Sequence, residues 1–142
     1  MSASNEFYTF KGYQTNSSNE LTATMEDYLE MIYRILTKQS VVRIGELSQK
    51  LNVRPSSATK IVQNLKLLGY LQYEKYEYIQ LTAKGTSTGK YLLYRHNVLQ
   101  NFLCTLNHSA DELEQVEKIE HFFNKTTIQN IENLTSRLQD DF

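Results

Sequence analysis

The sequence lacks a second cysteine, an apolar run of the roughly eighteen residues needed to cross a membrane, and an excess of positive charge. With Cys104 alone there is no intramolecular disulfide, which suits a reducing compartment, and Cys104 is expected to be a small buried hydrophobe. The N-terminal stretch MSASNEFYTFKGYQTNSSNE has neither the basic flank nor the apolar segment of a secretory signal, so the expected location is cytoplasmic, with no membrane partner. No internal repeat or low-complexity tract marks a fibrous or solenoid protein. A net charge of −1 argues against non-specific binding of a polyanion.

What is present is an uneven distribution of that charge. From Arg43 to Lys66, Arg43, Lys50, Arg54, Lys60 and Lys66 face the single acid Glu46. From Asp111 to Glu120, the acids Asp111, Glu112, Glu114, Glu117 and Glu120 face the single base Lys118. The first block is suited to a polyanion and the second to a cation.

Hydrophobic spacing divides the 142 residues into elements. Residues 1 to about 21 are polar and carry no sustained period, so they read as a flexible arm. Met25, Leu29, Ile32, Tyr33 and Leu36 predict a helix from Thr24 to about Lys38, with Thr24 as a candidate cap. Ile44, Leu47 and Leu51 predict a short helix ending near Asn52. Pro55 then opens a third helix, which carries Ala58, Ile61, Val62, Leu65 and Leu68 and closes at Gly69. Leu71, Tyr73, Tyr78, Ile79 and Leu81 change to a two-residue period around the tip Glu74-Lys75-Tyr76-Glu77, which predicts a hairpin. A long helix follows from Thr82 to Leu106, then helices over 110–123 and 126–139.

Three helices and a hairpin predict a winged helix-turn-helix. On its third helix Ser56, Ser57, Thr59, Lys60, Gln63 and Lys66 avoid the apolar stripe, so hydroxyls and long donors point outward. Gln63 is the candidate base reader. Arg43, Arg54, Lys60, Lys66 and the wing residue Lys75 are candidate phosphate contacts. The plainer alternative is a helical bundle with exposed basic faces.

His96 lies within the stripe Leu92, Leu99, Leu103 and is expected to face inward, either as a hydrogen-bonded core histidine or as a ligand. Glu120 falls between Leu113 and Val116 on a helical wheel, which buries a carboxylate, and Glu117 and His121 flank it. Burying an ionised carboxylate costs several kcal/mol unless a cation or strong donors offset it. A divalent ion meets that need, whereas Asp111, Glu112 and Glu114 fit a solvated acidic face. Asp27 and Glu30, taken on their own, are better explained as acids favoured by the dipole at a helix N-terminus.

The stretches Met25-Glu26-Asp27-Tyr28-Leu29-Glu30, Ser56-Ser57-Ala58-Thr59-Lys60, Gly69-Tyr70-Leu71, Tyr73-Glu74-Lys75-Tyr76, Leu81-Thr82, Tyr94-Arg95-His96 and Val116-Glu117-Lys118-Ile119-Glu120-His121 occur in this order. Over residues 22–142 they resemble the signature stretches of manganese transport regulators in the diphtheria toxin repressor family. The resemblance implies a mainly α fold with an arm over 1–21, a winged helix-turn-helix DNA-binding domain over 22–82, and a helical dimerisation and metal-sensing domain over 83–142. It further implies a homodimeric, manganese-dependent transcriptional repressor, not an enzyme, that binds palindromic double-stranded operators near manganese-uptake genes.

By the same resemblance the metal ligands are Asp27, Glu30, His96, Glu117, Glu120 and His121, arranged around a pair of Mn²⁺ ions in each subunit. Fe²⁺, Cd²⁺ or Zn²⁺ are expected to substitute in vitro. Iron-sensing relatives carry Met and Cys at the places of Asp27 and Glu117, and the carboxylates here are harder donors that suit Mn²⁺. By the resemblance, the SH3-like third domain of longer relatives is not expected here, and the arm is longer than expected for the short members. Two rivals stand beside this reading. One is a winged-helix repressor with an organic effector at its dimer interface. The other is a metallohydrolase, in which Glu117-x-x-Glu120-His121 would have Glu where the zinc helix His-x-x-Glu-His needs its first His.

Overall fold

The computed structural model describes residues 8–15, 20–75 and 77–141. In chain order the helices are α1 (Phe10–Thr15), α2 (Ala23–Leu36), α3 (Ile44–Leu51), α4 (Pro55–Leu67), α5 (Ala83–Asn107), α6 (Leu113–Ile119) and α7 (Lys125–Asp140). Strands β1 (Leu71–Gln72) and β2 (Gln80–Leu81) lie between α4 and α5, and a 3-10 turn, Glu120–Phe122, lies between α6 and α7.

Local chemistry fixes most boundaries. Thr22 caps α2, its hydroxyl accepting from the Met25 amide at 3.1 Å, so the cap lies two residues before the expected Thr24. Asn52 ends α3 in the left-handed conformation (φ 56°), and Pro55 occupies the first turn of α4, where its missing amide hydrogen costs nothing. Gly69 (φ 90°) ends α4, with the Tyr70 amide donating to the Leu65 carbonyl and the Gly69 amide to that of Lys66. The Thr82 hydroxyl caps α5 by accepting from the Gly85 amide and donates to the Gly69 carbonyl, which joins the end of α4 to the start of α5.

The wing is smaller than the sequence pattern implies. Leu71 pairs with Leu81 and Gln72 with Gln80, and an isolated antiparallel bridge joins Val42 to Ile79. Tyr78 is exposed, with the Arg43 guanidinium 4.5 Å above its ring. Tyr76 lies outside the described residues, as does most of the arm expected to be flexible. Within that arm, residues 10–15 form α1, and Phe10 stacks edge-on against Phe122.

The helix expected over 110–123 is shorter and broken. Asp111 accepts from the Gln100 side chain and the Leu113 amide, while the Glu112 carboxylate accepts from Ser109 and Asn107. These side-chain bonds hold 109–112 out of the helix. Leu113, expected on the buried side, is exposed, and Cys104 is half-buried rather than buried.

Two apolar clusters share α5. One joins Met25, Leu29, Ile32, Leu47, Val62, Leu65 and Ile79 to Leu92 on α5, and the other joins Val98, Leu99 and Leu103 of α5 to Val116 and Ile128. Each fully buried Leu or Ile contributes about 1.5–3 kcal/mol. His96 lies on α5 between Leu92 and Val98, at the seam where one cluster gives way to the other.

Candidate functional site

The seam collects the polar residues that neither cluster can absorb. Two groups place their donor atoms within 4.8 Å of one another: Glu30, His96, Glu117 and Glu120, and then Asp27, Glu120 and His121. Glu120 belongs to both. Asp27 and Glu30 come from α2, His96 from α5, Glu117 from α6, and Glu120 and His121 from the 3-10 turn. Every metal-ligand candidate read from the sequence is therefore in one of the two groups.

The turn at Glu120 explains how consecutive residues serve both groups. A continued α-helix would carry Glu120 and His121 about 100° apart on one regular surface. The tighter turn sends the Glu120 carboxylate fully inside, with Oε2 3.1 Å from His96 Nδ1, and sends His121 toward α2. Glu120 Oε1 is buried and has no hydrogen-bond partner. Such an orphan oxygen costs about 1–3 kcal/mol or more unless something fills its place.

Charges around the seam shift one another. His96 Nδ1 lies 3.3 Å from Glu117 Oε1 as well as near Glu120, and these hydrogen bonds raise the imidazole to about 9 against the opposing effect of burial. Burial also disfavours charge on His121, but bonds to Asp27 and Glu26 outweigh it and raise the group to about 10. The Glu30 carboxyl is pushed up to about 7 by burial and the neighbouring Glu120, with Arg34 opposing. Glu117 is held low by its bond to His96. In the absence of an ion the two imidazoles, together with Arg34 on Glu30, thus carry the positive charge that holds the carboxylates together.

Three residues that the sequence reading passed over complete the geometry. Glu26 Oε1 lies 2.9 Å from His121 Nδ1 and 3.2 Å from a guanidinium nitrogen of buried Arg95. Arg34 donates from Nε and Nη2 to Glu30 Oε2, at 2.9 and 2.6 Å. The only sequence signals are the four-residue helical step from Glu30 to Arg34 and the adjacency of Glu26 to Asp27 and of Arg95 to His96.

The residues fit a divalent cation. Several carboxylate oxygens and imidazole nitrogens converge, one buried oxygen lacks a partner, and the hard, oxygen-rich donor set is of the kind that takes Mn²⁺.

The candidate DNA face lies on α4 and its flanks. Arg43, Arg54, Ser56, Ser57, Lys60, Gln63, Lys66 and Lys75 are exposed, and Thr59 is half-buried. The Thr59 hydroxyl donates to the Pro55 carbonyl at 3.0 Å, and Lys66 pairs with Glu74 of the wing at 3.0 Å. Arg43 bonds the Tyr78 hydroxyl at 3.1 Å. Ser56, Ser57, Lys60 and Gln63 therefore present the outward edge of α4. No described helix is long and apolar enough to cross a membrane.

Two family patterns match in tandem. The iron dependent repressor N-terminal DNA binding domain matches residues 20–79, and the iron dependent repressor metal binding and dimerisation domain matches 82–141. The chain is 40% identical over 121 residues to a Bacillus velezensis protein named HTH-type transcriptional regulator MntR, covering 84% of this chain and 85% of that one. The Bacillus subtilis protein of the same name is 39% identical over the same shares. Among solved structures, the manganese regulator SloR superposes with a TM-score of 0.70 at 25% identity, covering 82% of this chain and 55% of that one. The chain thus spans about half the length of that solved relative.

Proposed function

The chain belongs to the iron-dependent repressor family, that of the diphtheria toxin repressor, and is a metal-dependent transcriptional repressor; on that premise we propose that Mn²⁺ is its effector. The observation that carries this reading is Glu120, a fully buried carboxylate with an unpartnered oxygen, shared between two groups of oxygen-rich donors. The proposed ligands are Asp27, Glu30, His96, Glu117, Glu120 and His121, the proposed load is a pair of ions in each subunit, and Fe²⁺, Cd²⁺ or Zn²⁺ are the proposed substitutes in vitro. When bound, the metal supplies the positive charge that lets these carboxylates stay ionised side by side.

Asp27 and Glu30 sit on α2, which packs in the DNA-reading cluster, while His96, Glu117, Glu120 and His121 reach in from α5, α6 and the turn. Drawing these side chains together ties the two halves of the chain. In a homodimer, that tie sets the separation of the two α4 helices, each presenting Ser56, Ser57, Lys60 and Gln63 to a half-site. Half-sites lie about one helical turn apart in a palindromic operator. The proposed targets are operators near manganese-uptake genes, and the proposed location is the cytoplasm. The chain is a regulator and not an enzyme, in keeping with relatives named as transcriptional regulators.

Metal and DNA binding must then strengthen each other equally, by about 1–3 kcal/mol for a coupling of ordinary size. The test is a reporter strain lacking its own manganese regulator and carrying the upstream region of a manganese-uptake gene. The chain should repress the reporter only when Mn²⁺ is supplied. Repression that ignores Mn²⁺, or that persists in Glu30→Ala and His96→Ala, favours an organic effector instead.

A further inference from the structure

Among the described residues, Arg34 is the one fixed cation that grips a member of the larger metal group. Both of its contacts go to a single oxygen of Glu30, Oε2, from Nε at 2.9 Å and Nη2 at 2.6 Å. That oxygen is also the one facing the site, 4.0 Å from His96 Nδ1. The guanidinium thus occupies the Glu30 oxygen that lies toward His96, within the group of Glu30, His96, Glu117 and Glu120. The side chain of Arg34 is 36% exposed while that of Glu30 is 9% exposed, so the arginine has a path to solvent and the carboxylate does not.

We propose that Arg34 is a built-in competitor of the metal: it holds Glu30 in the ion-free protein, must yield that oxygen when the site fills, and so raises the metal concentration at which the sensor responds. The inference rests on the manganese reading of the site and adds a residue that sets its threshold. Two effects act in the same direction. The arginine fork satisfies Oε2 with short charge-assisted bonds that an incoming ion must replace. Its positive charge also stays within a few ångströms of the ion unless it swings away, and like charges that close repel even at an intermediate dielectric. The opposing possibility is that Arg34 serves the metal by keeping Glu30 ionised and aimed, in which case its loss weakens binding.

The two are separated by titrating metal-free protein with Mn²⁺ and following the free-ion signal by electron paramagnetic resonance, a readout independent of DNA. Arg34→Gln, which keeps a polar side chain and removes the charge, should tighten Mn²⁺ binding by about tenfold, the Coulomb effect being reduced by the partial exposure of the arginine. Arg34→Lys keeps the charge but loses the two-bond fork, and its affinity should fall between those of the parent protein and Arg34→Gln. Unchanged or weaker binding by Arg34→Gln overturns the inference and leaves the metal reading standing. A parent protein that takes up no Mn²⁺, or a Glu120→Ala variant that binds it equally well, overturns the metal reading and this inference with it.

Discussion

Nδ1 of His121 lies 2.9 Å from Oε1 of Glu26, while the other ring nitrogen, Nε2, lies 3.0 Å from Oδ1 of Asp27. Two consecutive residues of α2 thus hold the two sides of one imidazole. Nε2 faces Asp27, a member of the smaller metal group, so Glu26 fixes the ring's orientation by accepting a hydrogen bond from Nδ1. Buried Arg95, also bonded to Glu26, keeps that carboxylate in place.

Glu26→Ala should therefore weaken Mn²⁺ binding by about 10–100-fold, the usual effect of removing the partner of a ligating histidine. Glu26→Gln keeps an acceptor for Nδ1 and should recover most of the loss. Equilibrium dialysis against Mn²⁺ reads both. Equal affinity in Glu26→Ala and the parent protein would show that the ring is oriented by other means.

Proton release should accompany metal binding. His96 is raised to about 9 and His121 to about 10, so both are protonated at neutral pH, and both must lose a proton to ligate. Mn²⁺ added to weakly buffered protein at pH 7.5 should liberate about two protons per filled site pair, measurable with a pH indicator. The same shifts govern the metal-free fold. Groups raised in the folded state stabilise it fully below their unfolded values, near 6.5 for histidine, and that stability is lost as pH climbs through 9 and 10. Glu30, raised to about 7, adds a loss between its ordinary 4.5 and 7. Thermal denaturation of the metal-free protein should thus shift to lower temperature from pH 6.5 to 10. A flat profile contradicts the charge pattern of the seam.

Much of the fold follows from local signals in the chain. Pro55 and Gly69 bracket α4 because one fits only a first turn and the other alone accepts φ 90° without strain. The buried Glu120 was visible as an acid on an apolar face. What sequence spacing missed depends on contacts between distant residues. The break before α6 rests on Gln100 reaching across from α5, and the partners of Glu26, namely Arg95 and His121, become evident only when α2, α5 and the 3-10 turn meet. Thr22 and Thr24 both offer a capping hydroxyl within one turn, and nothing in their spacing decides between them. The six residues of α1 are too few to show a periodic face.

The approach of α5 to α2 and to the chain just before β1 depends on two glycines. A Cβ on Gly89 would lie 2.7 Å from the Cβ of Tyr33, and one on Gly85 would lie 2.0 Å from the Tyr70 carbonyl oxygen. Backbone cannot yield as a flexible side chain does, so Gly85→Ala should be the worse of the two. We expect it to lower stability by about 1–3 kcal/mol in urea denaturation, even after the gain of about 1 kcal/mol that alanine brings to a helix. Unchanged stability in both variants would mean that α5 does not sit this close to its neighbours.

On DNA, Lys60 and Gln63 should differ in kind. Lys60→Ala should weaken binding to all sequences alike and reduce the salt dependence by about one phosphate contact. Gln63→Ala should cost about 1–3 kcal/mol on the operator and relax discrimination at one base pair. Competition binding at several salt concentrations separates these outcomes, and identical behaviour of the two variants contradicts the assignment.

The most direct test of metal-gated DNA binding is a fluorescence anisotropy titration of chelator-stripped protein onto a palindromic operator, with and without Mn²⁺ at fixed ionic strength. Mn²⁺ should tighten binding by about tenfold or more, equivalent to about 1.4 kcal/mol, and Glu120→Ala should abolish that gain. Equally tight binding in chelator and in Mn²⁺ would show that the cluster around Glu120 is structural and that another effector controls the protein.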